Sequence, residues 1–181
     1  MHKSFVSADW HLGHKNIVNF LDNEGNQLRP YADVEEMHVD LIARHNAVVR
    51  AVDRVYVLGD VAMAKDGLKL LPLFLGRKVL IKGNHDIYKL KDYLPYFDDI
   101  RAYHVLDKFI LSHIPVHEQS KGRFRGNIHG HLHSNKIDDP WYRCVSLEHT
   151  DFAPVSFAQI VKEYTDASWS EFFNRGSNAG K

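Results

Sequence analysis

Val79-Leu80-Ile81-Lys82-Gly83-Asn84-His85-Asp86 is the stretch on which the fold turns. A short aliphatic run of this kind suits a strand buried on both faces. It stops at Gly83, where the backbone can turn sharply, and an amide, an imidazole and a carboxylate follow at once. In open α/β sheets, ligands bind beyond the carboxyl ends of strands. Asn84 is therefore a candidate metal ligand and His85 a candidate proton carrier. A polar turn holding a satisfied histidine accounts for the same residues without any chemistry, so the stretch needs company to carry weight.

The company lies on both sides of it. Upstream, Lys3 to Ala8 reads as a strand that runs into Asp9-Trp10-His11. Strand side chains alternate, so Asp9 and His11 can reach one point, a carboxylate oxygen and an imidazole nitrogen together. Gly13 turns the chain, and His14 to Leu21 reads as a short helix with His14 and Asn16 near enough to touch a substrate. Asp33 and Glu36 fit a capping box for a helix reaching about Val49; its His38 and His45 read as structural or solvated. Arg54 to Leu58 is the next strand, ending in Gly59-Asp60, and Asp60 is a candidate for a carboxylate shared by two ions. Lys65 to Leu75 reads as a helix despite Gly67 and Pro72. Strand, helix, strand, helix, strand gives a parallel sheet with helical crossovers.

Downstream the rhythm changes. Ile87 to Tyr96 reads as a helix or lid-like connection. Ile100 to Leu106 and Lys108 to Leu111 read as two strands, the second leading to His113 at a strand end. Glu118 to Gly126 is a charged loop in which Lys121, Arg123 and Arg125 could contact a phosphate, or equally be a solvated surface. In Asn127-Ile128-His129-Gly130-His131-Leu132-His133, His131 and His133 have strand spacing and can converge on one site; His129 is set aside. Trp141 to Leu147 reads as a last strand and Phe157 to Tyr164 as a helix. Trp169, Phe172 and Phe173 are expected to dock on the body, and 173–181 to form a flexible tail.

Composition sets outer bounds. One domain over residues 1–181 is expected from the length, and 44% apolar residues suffice for a core. Lys plus Arg and Asp plus Glu number 23 each, which argues against binding long nucleic acid as the main source of affinity. Thirteen histidines are many for 181 residues, and histidine is the commonest metal ligand. Cys144 is the sole cysteine, so no internal disulfide forms, and it reads as a small buried residue. No segment reads as a signal peptide or a membrane span, so a soluble cytoplasmic protein without membrane partners is expected. The sequence sets no oligomeric state.

Each motif alone is weak or moderate. Together and in this order, Asp9-x-His11, Gly59-Asp60, Gly83-Asn84-His85-Asp86, His113 and Gly130-His131-x-His133 resemble the calcineurin-like metallophosphoesterase superfamily, over residues 3 to about 147. The small single-domain phosphoesterases of bacteria and phages are the nearest type. The resemblance implies an α/β fold with a two-sheet β-sandwich flanked by helices, four layers in all, and a two-metal site. Asp9, His11, Asp60 and His133 would hold one ion; Asp60, Asn84, His113 and His131 the other; His85 would be the catalytic histidine and Asp86 its orienting partner. The ions would be divalent transition metals, manganese first, with iron, nickel or zinc as alternatives. The implied activity is hydrolysis of phosphodiester bonds, with monoesters as an alternative, in small or nucleotide-like substrates. A bridging hydroxide would attack phosphorus while His85 protonates the leaving oxygen. The second motif, Gly59-Asp60-Val61-Ala62-Met63, lacks the Asp-Arg pair of the Ser/Thr protein phosphatases, which speaks against phosphoprotein substrates. Two other readings stand beside this one: a nuclease that grips DNA or RNA through Lys121 to Arg125, and a non-catalytic scaffold on the same fold, like the retromer subunit.

Overall fold

The computed structural model describes residues 2–166. The expected docking of Trp169, Phe172 and Phe173 and the tail 173–181 lie outside the described residues. Among the described residues nine strands form two sheets. The first sheet holds β1 (Ser4–Ser7), β2 (Arg54–Val57), β3 (Arg77–Ile81), β4 (Asp99–Arg101) and β9 (Val155–Ser156), in the order β4-β3-β2-β1-β9. Strands β1 to β4 are parallel and β9 runs antiparallel to β1. The second holds β5 (His104–Leu106), β6 (Phe109–Leu111), β7 (Gly126–His129) and β8 (Tyr142–Cys144) in sequence order. The chain is thus a mixed α/β protein with a five-stranded and a four-stranded sheet.

Alternation along the strands produces two cores. Phe5, Val55, Val57 and Leu80 point to one side of the first sheet, where they join Met37 and Leu41 of helix α1 (Val34–Val48) and Leu68 and Leu71. Val6, Tyr56, Leu58, Val79 and Ile81 point the other way and share a second cluster with Phe109, Leu111 and Ile128 of the second sheet and with Val145 just past β8. The two sheets therefore bury apolar faces against each other. The helix over residues 157–166 closes onto this second core through Ile160.

Several elements differ from the sequence expectation. Asp33 does cap α1, accepting the Glu36 N–H at 2.8 Å. The helix expected over 14–21 shrinks to a 3-10 turn, Ile17–Asn19. Lys65–Leu73 is a 3-10 rather than an α-helix, consistent with the poor α-propensity of Gly67 and the missing donor of Pro72. Helix α2 spans just Leu90–Tyr93. The run Ile100 to Leu106 is not one strand: β4 ends the first sheet and β5 starts the second, so the chain crosses between sheets at Ala102 and Tyr103. Cys144 is buried, as expected.

His38 and His45 are structural. His38 Nε2 accepts the Gly13 N–H at 3.0 Å. His45 sits edge-on to Trp10 and Phe74 and bonds the Leu75 carbonyl at 2.8 Å. Burial pulls the His45 pKa from the ordinary 6.5 down to about 4. Below pH 6.5 the unfolded chain takes up a proton there that the folded chain refuses until near pH 4. Stability is therefore lost as the pH falls through that window, by up to about 3 kcal/mol from this residue. His45→Gln keeps an N–H for Leu75 and cannot titrate. Its unfolding free energy, from denaturant titrations, is expected to be flatter between pH 6.5 and 4 than that of the parent; an equal slope would rule this role out.

Candidate metal centre

The strand ends of the first sheet continue past regular pairing as two interlocked loops. Asp9 N–H bonds the Gly59 carbonyl at 3.1 Å, His11 N–H the Asp60 carbonyl at 2.9 Å, and Leu12 N–H the Val61 carbonyl at 3.0 Å. Trp10 drops into the core and stacks on Phe74, which leaves Asp9 and His11 on the opposite side. From the second sheet, His131 N–H bonds Asp9 Oδ2 at 2.9 Å and Ser146 Oγ donates to the same oxygen at 2.7 Å. Residues far apart in the chain thus meet at one sheet end.

Two clusters result. Asp9, His11 and His133 each offer one ligand atom within 4.8 Å of the others, and so do Asp60, His113 and His131. Asp60 lies between them. Its Oδ1 accepts the His85 N–H at 2.8 Å, while Oδ2 stands 3.3 Å from His113 Nε2 and 3.9 Å from His11 Nε2. A single oxygen, rather than one oxygen for each ion, is therefore placed to serve both clusters. Asn84 joins the second cluster, with Oδ1 2.8 Å from His113 Nε2.

The donor set fits divalent cations. Asp9 Oδ1 and His11 Nε2 are buried without a hydrogen-bond partner, a costly state for a carboxylate oxygen and an imidazole nitrogen unless a cation completes them. His113 donates Nδ1–H to the Leu58 carbonyl at 2.8 Å, and His133 directs Nδ1 at Glu148 Oε1, 3.1 Å away. Both contacts leave Nε2 free to ligate, the usual arrangement for a metal histidine. Burial opposes charge on Asp9 and Asp60, yet His11 and His113 respectively, with neighbouring histidines, hold both carboxyls below the usual range. His113 and His133 are pushed up against the effect of their burial, by Asp60 and Glu148 respectively. Burial pulls His11 and His131 down, His131 with help from His113. Two clusters of Asp and His can therefore bind metal ions.

Backbone strain collects at the same place. Among the described residues nine non-glycine positions have positive φ, and five are candidate ligands: Asp9 (60°), His11 (50°), Asp60 (52°), His131 (73°) and His133 (50°). Each costs of order 1–3 kcal/mol, and such residues gather at functional sites. The convergence of Asp9 with His11, and of His131 with His133, thus comes from left-handed loop residues and not from strand alternation. Gly83 corrects a similar point. Its φ is not in the left-handed region; a side chain there would overlap the Asp60 carboxylate. A Cβ on Gly130 would fall 2.6 Å from Asp9 Oδ2. Both glycines let backbone approach a ligand.

Other expected site residues are placed differently. His85 is exposed, with its ring centroid 6.0 Å from that of His11. Asp86 does not hold that ring: its buried carboxylate accepts the N–H groups of Asp60, Val61 and Gly83 at 2.8–3.0 Å, and burial raises its pKa. Asp86 shapes the Asp60 loop from below. His14 stands beside His11, ring centroids 6.0 Å apart, whereas Asn16 is exposed and its side chain makes no capping hydrogen bond. Lys121 pairs with Asp139, and Arg125 with Asp107 at 3.1 Å while lying over Phe109. Arg123 lies over Phe124, 6.0 Å from its ring centroid. The two paired cations are thus engaged by neighbouring acids.

Arg29 and Glu148 had no signal in the sequence. Arg29 is fully buried and grips the carbonyls of Asp9 and Trp10 at 2.5 and 3.1 Å. It also donates to Glu148 Oε1 at 2.8 Å, the oxygen that orients His133. Burial opposes the Glu148 charge, but Arg29 and His133 hold its pKa down at about 2. Glu148→Gln is expected to weaken cation binding at the Asp9 cluster about 10–100-fold. It would also destabilise the fold by about 3–5 kcal/mol, because Arg29 loses its buried counter-charge. Manganese titration and denaturant unfolding test both; unchanged affinity would show that Glu148 does not position His133.

No helix among the described residues is long and apolar enough to cross a membrane. No family model matches the chain. It is 33% identical over 92 residues to the Gene 66 protein of Mycobacterium phage L5, covering 48% of this chain and 41% of that one. The crystal structure of the protein of unknown function AQ665 from Aquifex aeolicus superposes with a TM-score of 0.68 at 25% identity, covering 90% of this chain and 99% of that one. The uncharacterized protein MJ1445 of Methanocaldococcus jannaschii is 35% identical over 173 residues, 90% of this chain and 91% of its own length. At that identity and coverage, the chain belongs to the family of MJ1445.

Proposed function

We propose that this protein is a metal-dependent phosphoesterase of the calcineurin-like kind, with the layered two-sheet fold of that superfamily. The observation that carries this reading is the pair of Asp/His clusters meeting at Asp60 Oδ2, with an exposed histidine beside them. The mixed oxygen and nitrogen donors suit manganese, iron, nickel or zinc better than magnesium or calcium. Divalent ions bound there would supply Lewis-acid charge and lower the pKa of bound water. Asp9, Asp60, Asn84 and the four histidines would hold those ions. His85, free of Asp86 and open to solvent, gives its proton to the leaving oxygen of the ester. Asp86 and Arg29 fix the two loops that carry the carboxylates.

A screen of manganese, iron, nickel and zinc against aryl phosphodiesters and monoesters tests the assignment. Turnover that depends on one of these ions and is lost on chelation is expected; no turnover with any of them would refute it. Cation uptake should also release protons, because His113 and His133 hold theirs more tightly than a free imidazole. Affinity is accordingly expected to rise with pH through and above the ordinary imidazole range. Calorimetry in buffers of different ionisation heat measures the protons released, and zero release would contradict this protonation state.

A further inference from the structure

A cavity of about 590 Å³ opens beside the second cluster, floored by Gly83, Asn84 and His113. That volume falls in the range of small-molecule sites and is far more than a phosphate group needs. Ile110, on the face of β6 turned away from the inter-sheet core, forms part of its wall with Ile114, Tyr103 and Phe124. Lys82 and Ser120 add polar atoms. Tyr103 and Ile114 are 63% and 51% exposed, so the apolar wall is open to solvent. The segment 114–125 thus meets the cavity through Ile114, Val116, Ser120 and Phe124, while Lys121 and Arg125 are paired elsewhere.

The position of His85 decides which part of a substrate this cavity takes. His85 does not line it; its ring lies toward His11, in the other cluster. We propose that the cavity binds the substituent that stays on phosphorus, a flat aromatic group of nucleoside size, and that the substrate is therefore a phosphodiester. This rests on the phosphoesterase reading above. Water adds to phosphorus and the P–O bond on the His85 side breaks. The departing oxygen takes the His85 proton, and the proton lost by the water restores the histidine. The product left in the cavity is a phosphomonoester that keeps its aromatic group.

The test compares thymidine 5′-(p-nitrophenyl) phosphate, methyl p-nitrophenyl phosphate and p-nitrophenyl phosphate with the manganese-loaded protein. All three share a leaving group and differ in what is retained. The thymidine ester is expected to exceed the methyl ester in kcat/KM by about tenfold or more, the scale of one aromatic stacking contact, and to exceed the monoester. Ala102→Trp, at an exposed position on the rim, fills the cavity and should bring the thymidine-to-methyl ratio close to one. Phe124→Ala should lower the same ratio. Equal rates for the two diesters, a ratio untouched by both substitutions, or preference for the monoester would overturn the proposal. Calorimetric binding of thymidine 5′-phosphate against methyl phosphate is independent of turnover. The thymidine compound should bind about tenfold tighter, and Ala102→Trp should erase the difference; equal binding overturns the cavity assignment. If no ester is cleaved yet that preference holds, the phosphoesterase reading fails, and with it the retained-substituent role, while the nucleoside site stands.

Discussion

Asp60→Asn is expected to lower both metal occupancies together and to cut ester hydrolysis by about 10²–10³-fold or more, the loss typical when a transition-state charge stabiliser is removed. The reason is the placement of one oxygen. Asp60 Oδ2 faces His11 on one side and His113 on the other, so no other carboxylate can substitute for it in both clusters. Asparagine is the demanding test. It tolerates the positive φ of 52° at this position, and its own Oδ1 can still accept the His85 N–H. The loop should therefore fold as before while the negative charge is lost. Metal content by elemental analysis should fall for both ions. Loss of one ion alone, with the other at full occupancy, would mean that Asp60 belongs to one cluster and not to both.

His85→Ala is expected to separate metal binding from catalysis. The bond from residue 85 to Asp60 Oδ1 comes from the backbone N–H, and alanine keeps it. The exposed ring makes no contact that holds either cluster, so both ions should stay. Turnover of alkyl phosphodiesters, whose leaving oxygen needs a proton, is expected to fall about 10²–10⁴-fold. Esters of p-nitrophenol should be affected far less. Undiminished rates on the alkyl esters would remove His85 from the proton-transfer role. Because Asp86 bonds three backbone N–H groups rather than the His85 ring, any effect of Asp86 on the rate should travel through the Asp60 loop.

Much of this site was legible because its residues announce strand ends. Aliphatic runs closing in Gly59-Asp60 and Gly83-Asn84-His85 mark where a parallel sheet presents its carboxyl edge, and the structure brings those edges together. The local geometry was less legible. Residues two apart suggest a strand, but Asp9, His11, His131 and His133 share positive φ, and no propensity marks a loop strained by its neighbours. The split of Ile100 to Leu106 between two sheets was hidden because an apolar run does not reveal where its pairing partner changes. Arg29 and Glu148 were beyond reach for a simpler reason. They lie 119 positions apart, one in a polar loop and one after a strand, and a charged residue in such places reads as solvated until the fold buries it. The cations of Lys121 to Arg125 show the converse: a basic loop reads equally as a phosphate contact or a solvated surface, and in the fold Asp139 and Asp107 engage two of its three charges.

The proposed site is a pair of cations caged by one polypeptide around Asp60. Anomalous diffraction from a crystal of the manganese-loaded protein tests it most directly. Two peaks are expected about 3.5–4 Å apart, one ligated by Asp9, His11 and His133 and the other by Asn84, His113 and His131, with Asp60 between them. No anomalous peak at either cluster, with the side chains placed as described, would contradict the account.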